Sequence, residues 1–164
     1  MVVIAIVTVL AAVAVPSYKN YKIQAETSNA LVVGQNLIER VALYHDVNGS
    51  WPVPFVYEGL SINPGASVYI SNDPNLAAMA TTISSDGLGF KIDAYFKGLN
   101  GIPGYVPAVE ASGIYFGVRL NNGIYEFACG ALAPNNFYGV PLEYLPKSCS
   151  CANIIDFIAD GTGC

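Results

Sequence analysis

Four cysteines in the last quarter of the sequence are the residues with the clearest capacity for chemistry: Cys129, Cys149, Cys151 and Cys164. An even, clustered set of cysteines behind a hydrophobic N-terminus is typical of disulfides formed in an oxidising compartment. These cysteines allow three pairings. A Cys149–Cys151 bridge ranks last among them because it would close a very tight ring. The sequence therefore predicts two disulfides.

Redox catalysis at the Cys-Ser-Cys segment and a zinc site are the alternatives to structural disulfides. A redox-active thiol needs a neighbouring group that depresses its pKa. A zinc finger needs ligand spacings that the separations 129–149 and 151–164 do not provide. We rank both alternatives below the disulfides.

Other candidates for catalysis are few. His45 is the single histidine, and it lies beside Asp46 near the end of a predicted helix, where an interaction with the helix dipole accounts for it. Asp156 and Asp160 could be paired carboxylates, but their spacing also fits the solvated face of a short helix. The segment SNDPN at 71–75 is too weak a pattern for calcium. No nucleophile-elbow, metalloprotease, phosphate-loop or dinucleotide motif occurs, so we predict no enzyme, catalytic residue, cofactor or metal.

The charge pattern excludes another class of function. The sequence has seven basic and twelve acidic residues, which gives a net charge of −5, and no basic run occurs. Binding of nucleic acid by the body of the chain is therefore not expected. The hydrophobic fraction is 53% and the charged fraction only 12%, which suits a protein that buries much of its surface against other copies or a membrane.

The elements that position these residues begin with an uncharged run from Met1 to Val15. As a helix it is about 22 Å long, against about 30 Å for the hydrocarbon core of a bilayer. It could be a signal-peptide core, a membrane helix or a buried helix, and the amphipathic helix that follows it disfavours the first. Its large apolar residues are Val2, Val3, Ile4, Ile6, Val7, Val9, Leu10, Val13 and Val15.

An amphipathic helix is predicted from about Ser17 to Asp46. Its apolar residues recur at spacings of three and four: Ala30, Val33, Leu37, Ile38, Val41, Ala42 and Tyr44. Asn48-Gly49 marks its end; with Ser50 it also matches an N-glycosylation acceptor, although a turn alone accounts for it. If both halves are continuous, the helix spans about 66 Å, so half of it projects from the globule and needs partners.

Strands follow the helix. Alternating, β-branched or aromatic segments occur at 66–72, 89–96, 113–120 and 123–130, with Asn122-Gly123 as a hairpin turn between the last two. Loops are predicted at 100–113 and 130–146. The predicted fold is α+β: one long N-terminal α-helix packed on a four-stranded antiparallel sheet, with a C-terminal region held by disulfides.

Two segments carry a family resemblance. VVIAIVTVLAAVAVPSYKNYKIQAETSNAL at residues 2–31 resembles the N-terminus of type IV pilins, especially the type IVa major pilins. YEFACG…LEYLPKSC, from Tyr125 to Cys149, resembles their disulfide loop. Residues 53–123 match only in general character. Aligned on Pro16, the family pattern begins about six residues before Met1, which would lengthen the apolar run to about 21 residues, enough to span a bilayer. Either the sequence lacks about six residues at its start or the protein is an unusual relative of the family, and we favour the first interpretation.

The resemblance implies a structural subunit that polymerises through its N-terminal helix into a surface pilus. It implies that residues 1–22 anchor the subunit in the inner membrane before assembly and then form the filament core. Residues 23–164 would be the globular head, and the assembly machinery would be a further partner. It also implies the pairs Cys129–Cys149 and Cys151–Cys164.

Pro16 is expected to act as a helix break. It cannot donate a hydrogen bond to Ala12, and its ring clashes with that carbonyl. In the family, the helix unwinds before this proline within filaments. We expect loss of helix between Thr8 and Pro16 in a filament, with helix resuming by Tyr18, and a helical or gently kinked segment in the monomer.

Two other functions compete with this hypothesis. The first is a type II secretion pseudopilin or a minor pilin, which shares much of the N-terminal pattern. The second is a membrane-tethered periplasmic binding domain, in which residues 1–15 are a simple anchor.

Overall fold

The computed structural model describes residues 2–53, 55–57, 60–62, 69–70, 76–97, 105–106, 111–130, 139–162 and 164. Within these, the side chains at 9, 11, 13–17, 19–20, 23, 55–57, 60–62, 69–70, 105–106 and 111 lie outside the description. The described helices are α1 (Val2–Asn48), the 3-10 turn η1 (Leu142–Tyr144) and α2 (Ile154–Asp160). The described strands are β1 (Phe55–Tyr57), β2 (Leu60–Ile62), β3 (Tyr69–Ile70), β4 (Leu76–Ile83), β5 (Gly89–Phe96), β6 (Tyr105–Val106), β7 (Ala111–Asn121) and β8 (Ile124–Gly130).

Helix α1 is continuous from the apolar run into the amphipathic segment. Its 47 residues give a length of about 70 Å at 1.5 Å per residue, so the prediction of a single long helix is confirmed. It ends where Gly49 adopts φ +68°, a left-handed conformation that glycine reaches without steric cost. The backbone N–H of Gly49 donates to the carbonyl of His45 at 2.8 Å.

A four-stranded antiparallel sheet in the order β4-β5-β7-β8 forms the body of the head. Strand β7 lies between β5 and β8 and is the longest of the four, with 11 residues. At the β7–β8 turn both Asn122 and Gly123 have positive φ, +50° and +82°, which is the geometry predicted for this hairpin. The short strands β3 and β6 pair with β4 and β7, and β1 pairs with β2 in a separate sheet.

One predicted strand is wrong in its position. We predicted that the first strand of the four-stranded sheet lies at 66–72. In the structure, the strand that pairs with β5 is β4, at Leu76–Ile83. Of the segment 66–72, only Tyr69–Ile70 lies among the described residues; it forms β3 beside β4. Six consecutive residues of β4 are buried, so its sequence, LAAMATTI, shows no alternation of polar and apolar residues to reveal it.

The predicted loops are corrected in part. The loop at 100–113 contains β6 and the first residues of β7, and its remainder lies outside the described residues. The loop at 130–146 contains η1, and residue 139 pairs with residue 113 of β7 in an isolated parallel bridge. Residues 131–138 of this loop lie outside the described residues.

The main core lies between α1 and one face of the sheet. From α1 it takes residues along one stripe: Ala30, Leu31, Leu37, Ile38, Val41 and Ala42. From the sheet it includes Phe90, Ile92, Ile114, Phe116 and Val118, each at most 1% exposed. Tyr44 was expected in this stripe, but it is 44% exposed; the neighbouring His45 is the one that turns toward the sheet.

Gly34 allows a close approach between α1 and the sheet. A Cβ atom built on Gly34 would overlap the ring of Phe116, whose tip atoms lie where the side chain would be. Glycine is otherwise unfavourable inside a helix, by about 1 kcal/mol relative to alanine. The contact therefore explains why the helix has glycine at this interior position.

His45 joins the end of α1 to the sheet through aromatic contacts. Its ring lies 4.0 Å from the ring of Trp51, centroid to centroid, and its Nδ1 is 2.9 Å from the Tyr125 hydroxyl on β8. The indole N–H of Trp51 donates to the carbonyl of Gly87 at 2.7 Å. Burial raises the pKa of the Tyr125 hydroxyl, with a smaller effect from the Asp46 carboxylate.

The second face of the sheet carries a buried ion pair. Lys91 Nζ and Asp93 Oδ1 on β5 are 2.5 Å apart, with side chains 6% and 15% exposed. Burial raises the pKa of Asp93, and the charge of Lys91 opposes that rise. The Lys91 ammonium also lies 5.8 Å from the centre of the Tyr115 ring on β7. Helix α2 packs on this face with Ile154, Phe157 and Ile158 buried.

Asp86 organises the turn between β4 and β5. Its carboxylate accepts hydrogen bonds from the Ser84 hydroxyl at 2.5 Å, the Leu88 N–H at 2.9 Å and the Arg119 guanidinium at 2.8 Å. Arg119 also donates to the carbonyl of Ile158 at 2.6 Å, so the turn, β7 and α2 are held by one network. The hydrogen bond from Ser84 is the main cause that lowers the pKa of Asp86 from 3.8 to about 2, followed by those from Leu88 and Arg119.

We predict that Gly34→Ala destabilises the head. The added methyl group must displace the buried ring of Phe116, which we expect to cost about 1–3 kcal/mol of unfolding free energy in spite of alanine's better helix propensity. The measurement is urea denaturation in detergent, followed by fluorescence of Trp51. Asn36→Ala, on the exposed face of the same helix, is the control and should change stability by less than about 0.5 kcal/mol. Equal stability of the two variants would contradict the contact.

We predict that Asp86→Asn destabilises the head in a pH-dependent way. Because folding lowers this pKa from 3.8 to about 2, the carboxylate stabilises the fold above pH 3.8, and this contribution is lost as pH falls through 2. We expect a loss of about 1 kcal/mol at pH 7, since hydrogen bonds to charged groups are partly screened here by solvent. Denaturation curves between pH 7 and 2 should show the two proteins converging. Glu39→Gln is the control, and a difference that stays constant with pH would contradict the assignment.

Candidate functional site

The N-terminal part of α1 exposes a continuous apolar surface. The six described side chains with large apolar groups are between 54% and 73% exposed: Val2, Val3, Ile4, Ile6, Val7 and Leu10. We call this set the N-terminal apolar surface. Scattered exposed apolar residues are normal on a soluble protein, but a contiguous patch of this kind marks an interaction site.

Four residues of the predicted site lie within the first third of α1. Val9, Val13, Val15 and Pro16 lie within α1, but their side chains fall outside the described residues. The backbone of α1 is helical through residue 16, as expected of the isolated subunit. The Thr8 hydroxyl donates to the carbonyl of Ala5 at 2.8 Å, a hydrogen bond between a side chain and the backbone within one turn of the helix.

The apolar surface gives way to a polar one about one third of the way along α1. Tyr18 and Tyr21 are still 70% and 73% exposed, and a salt bridge between Lys22 and Glu26, four residues apart, follows at 3.6 Å. Thr27 is the first described residue of α1 that is buried. In the part of the chain that the structure describes, no helix carries a stretch long and apolar enough to cross a membrane.

Two disulfides close the C-terminal region. The structure joins Cys129 to Cys149 and Cys151 to Cys164, which are the pairs that the resemblance implies. The N–H of Cys151 donates to the carbonyl of Cys129 at 3.0 Å, so the two bridges meet at the end of β8. No cysteine is free, and the thiols are therefore committed to these bonds.

The residues considered for acid–base chemistry have structural roles. His45 belongs to the aromatic contact with Trp51. The Asp156 carboxylate accepts from the Asn153 side chain, 2.6 Å away, which caps α2. Two hydrogen bonds from Thr162 lower the pKa of Asp160. The bond from its hydroxyl has the larger effect, and the bond from its backbone N–H the smaller. Within the described ranges, no group of three histidine, cysteine or acidic side chains could hold a metal ion.

The sequence did not reveal a second exposed apolar patch at the other end of α1. Leu43, Tyr44 and Val47 are 64%, 44% and 75% exposed, and we call them the helix-end patch. Leu43 and Val47 are four residues apart and lie on one side of the helix. This spacing could have revealed the patch, but it resembles the spacing of core residues and does not by itself indicate exposure.

Comparison with known proteins gives three informative similarities. The chain is 32% identical over 108 residues to a fimbrial protein of Neisseria meningitidis serogroup B, a match that covers 62% of this chain and 64% of that protein. It is 29% identical over 109 residues to the type IV major pilin protein PilE1 of Neisseria gonorrhoeae, covering 62% and 66%. It is 25% identical over 153 residues to the fimbrial protein EcpC of Eikenella corrodens, covering 91% and 84%.

The chain spans less than two thirds of the length of the Neisseria meningitidis relatives that it matches. No protein-family model matches the sequence. The long helix, the four-stranded antiparallel sheet and the two disulfides agree with the fold that the pilin resemblance implies. By its sequence similarity and by its fold, the chain is a homologue of the type IV pilins.

Proposed function

We propose that this protein is a structural subunit that polymerises through α1 into a type IV pilus on the cell surface. The observation that carries the proposal is the N-terminal apolar surface, which projects from a head that is otherwise able to bury its own core. The pilin and fimbrial names of the relatives support the same function. The subunit acts by assembly and needs no catalytic centre.

The energy of burial favours assembly between copies of the chain. Full burial of a valine, leucine or isoleucine side chain contributes about 1.5–3 kcal/mol. The six described residues of the surface therefore offer on the order of 10 kcal/mol before the costs of association are subtracted. A surface this apolar is unfavourable in water, and a bundle of copies or a membrane relieves it.

Two parts of the chain have separate roles in this function. Residues 1–22 hold the subunit in the inner membrane before assembly and form the filament core afterwards, with Val9, Val13 and Val15 in the same apolar run. Residues 23–164 form the head on the filament surface. The assembly machinery extracts the subunit from the membrane, and the finished filament is extracellular.

We predict that Ile4→Asn abolishes filaments while Ile124→Asn does not. The two isoleucines are 66% and 68% exposed and differ mainly in position, one on the N-terminal apolar surface and one at the β7–β8 turn. An unsatisfied amide in a packed helical core costs about 1–3 kcal/mol per subunit, so sheared fibres should fall at least about tenfold. Electron microscopy and the quantity of sheared fibres are the measurements.

The controls separate failed assembly from failed export. Ile4→Asn protein should still appear in the membrane fraction at wild-type level. Normal fibres from Ile4→Asn would contradict the proposal. Monodisperse particles of wild-type protein after detergent solubilisation, with no fibres on cells, would instead support a tethered binding domain.

We predict that Pro16 breaks α1 in the filament although α1 is continuous in the isolated chain. The lost hydrogen bond to Ala12 is costly in a bilayer but is tolerated where neighbouring helices shelter an extended segment. Thr8 stands where the family pattern has glycine, and because glycine is the weaker helix former, threonine should confine the break to the turns nearest Pro16. Backbone dihedrals in a filament map are the measurement. An unbroken helical hydrogen-bond ladder from Thr8 to Tyr18 would show the prediction to be wrong.

A further inference from the structure

The end of α1 presents the only Asn-x-Ser/Thr sequence of the chain, Asn48-Gly49-Ser50. All three residues are exposed. Asn48 is the last residue of α1, and Gly49 leaves the helix with φ +68°. An acceptor sequence must lie on the surface of an exported protein, where a transferase can reach it. The structure provides that accessibility at this position.

The Asn48 side chain is available for reaction. Its amide Nδ2 donates one hydrogen bond, to the carbonyl of Tyr44 at 2.8 Å, on the exposed surface of the helix. Water can replace this bond when the side chain turns outward, and the end of α1 keeps the backbone bond from Gly49 to His45. Modification therefore leaves the fold of the helix end intact.

The surroundings of Asn48 would accommodate a sugar. Tyr44 lies one turn before Asn48 and is 44% exposed, and Val47, its neighbour in sequence, is 75% exposed. Sugar rings carry apolar C–H faces that pack against aromatic and aliphatic side chains, with hydroxyl groups left for water. The helix-end patch is thus apolar surface that a glycan at Asn48 would cover.

We propose that Asn48 carries an N-linked glycan that covers the helix-end patch. This inference rests on the export of the head, which is part of the proposed function. The donor is a polyprenyl-pyrophosphate-linked oligosaccharide. A bond forms between Asn48 Nδ2 and the anomeric carbon of the sugar, while the bond from that carbon to the pyrophosphate oxygen breaks. Nδ2 loses one proton, the lipid pyrophosphate leaves as an anion, and no group is oxidised or reduced.

The test is mass spectrometry of the protein from its own host, taken from both the filament and the membrane fractions. Fragmentation of the chymotryptic peptide 45–55 should locate an added sugar mass on Asn48. Ser50→Ala removes the acceptor sequence but keeps Asn48 and its bond to Tyr44, and it should abolish the added mass. Ser50→Thr keeps the acceptor sequence and should retain it.

Two outcomes would overturn the proposal. One is an unmodified peptide 45–55 in the wild-type protein, and the other is an added mass that persists in Ser50→Ala. Because both fractions are analysed, the test is independent of assembly. Filaments with an unmodified Asn48 refute the glycan alone, and a modified Asn48 in cells without filaments refutes the proposed assembly alone.

Discussion

The contact between Gly34 and the ring of Phe116 determines how the rest of the molecule is arranged. It lets α1 lie close enough to the sheet for Leu37 and Val41 to be fully buried. The helix is held at this contact and along the stripe that follows it, whereas none of the described side chains before Thr27 is buried. In a helix about 70 Å long, the apolar stripe of the second half is therefore buried within the subunit, and the described apolar side chains of the first half are exposed.

The sheet meets two different requirements on its two faces. Its first face packs against α1 and is mainly apolar, although the hydroxyl residues Thr81 and Ser112 are buried on it. Its second face buries Lys91 and Asp93 as a pair. A buried pair of this kind contributes little net stability, but the loss of one partner would leave an uncompensated charge. The C-terminal region must therefore remain in place, and the two disulfides and the network at Arg119 hold it there.

The sequence predicts the elements whose patterns are local. A short segment is enough to predict each of three features that the structure confirms: the apolar stripe of α1, the turn at Asn122-Gly123 and the end of the helix at Gly49. β4 escaped prediction because a strand buried on both faces does not alternate. Lys91 and Asp93 alternate with Phe90 and Ile92 as a solvated face would, and their sequence gives no sign that α2 packs on that face of the sheet. The cysteine pairing came from the family resemblance, since the even count alone leaves several pairings open.

The disulfide between Cys129 and Cys149 has a mechanical consequence. The bridge joins the end of β8 to the segment beyond η1, so tension that reaches Cys129 passes to Cys149 through sulfur and bypasses residues 130–148. A pull along α1 also enters the head as shear across the whole α1–sheet contact, in which many side-chain contacts must slip together, and not as a peeling of one strand at a time. The resistance of the head to stretching therefore depends on the direction of the pull as well as on its thermodynamic stability.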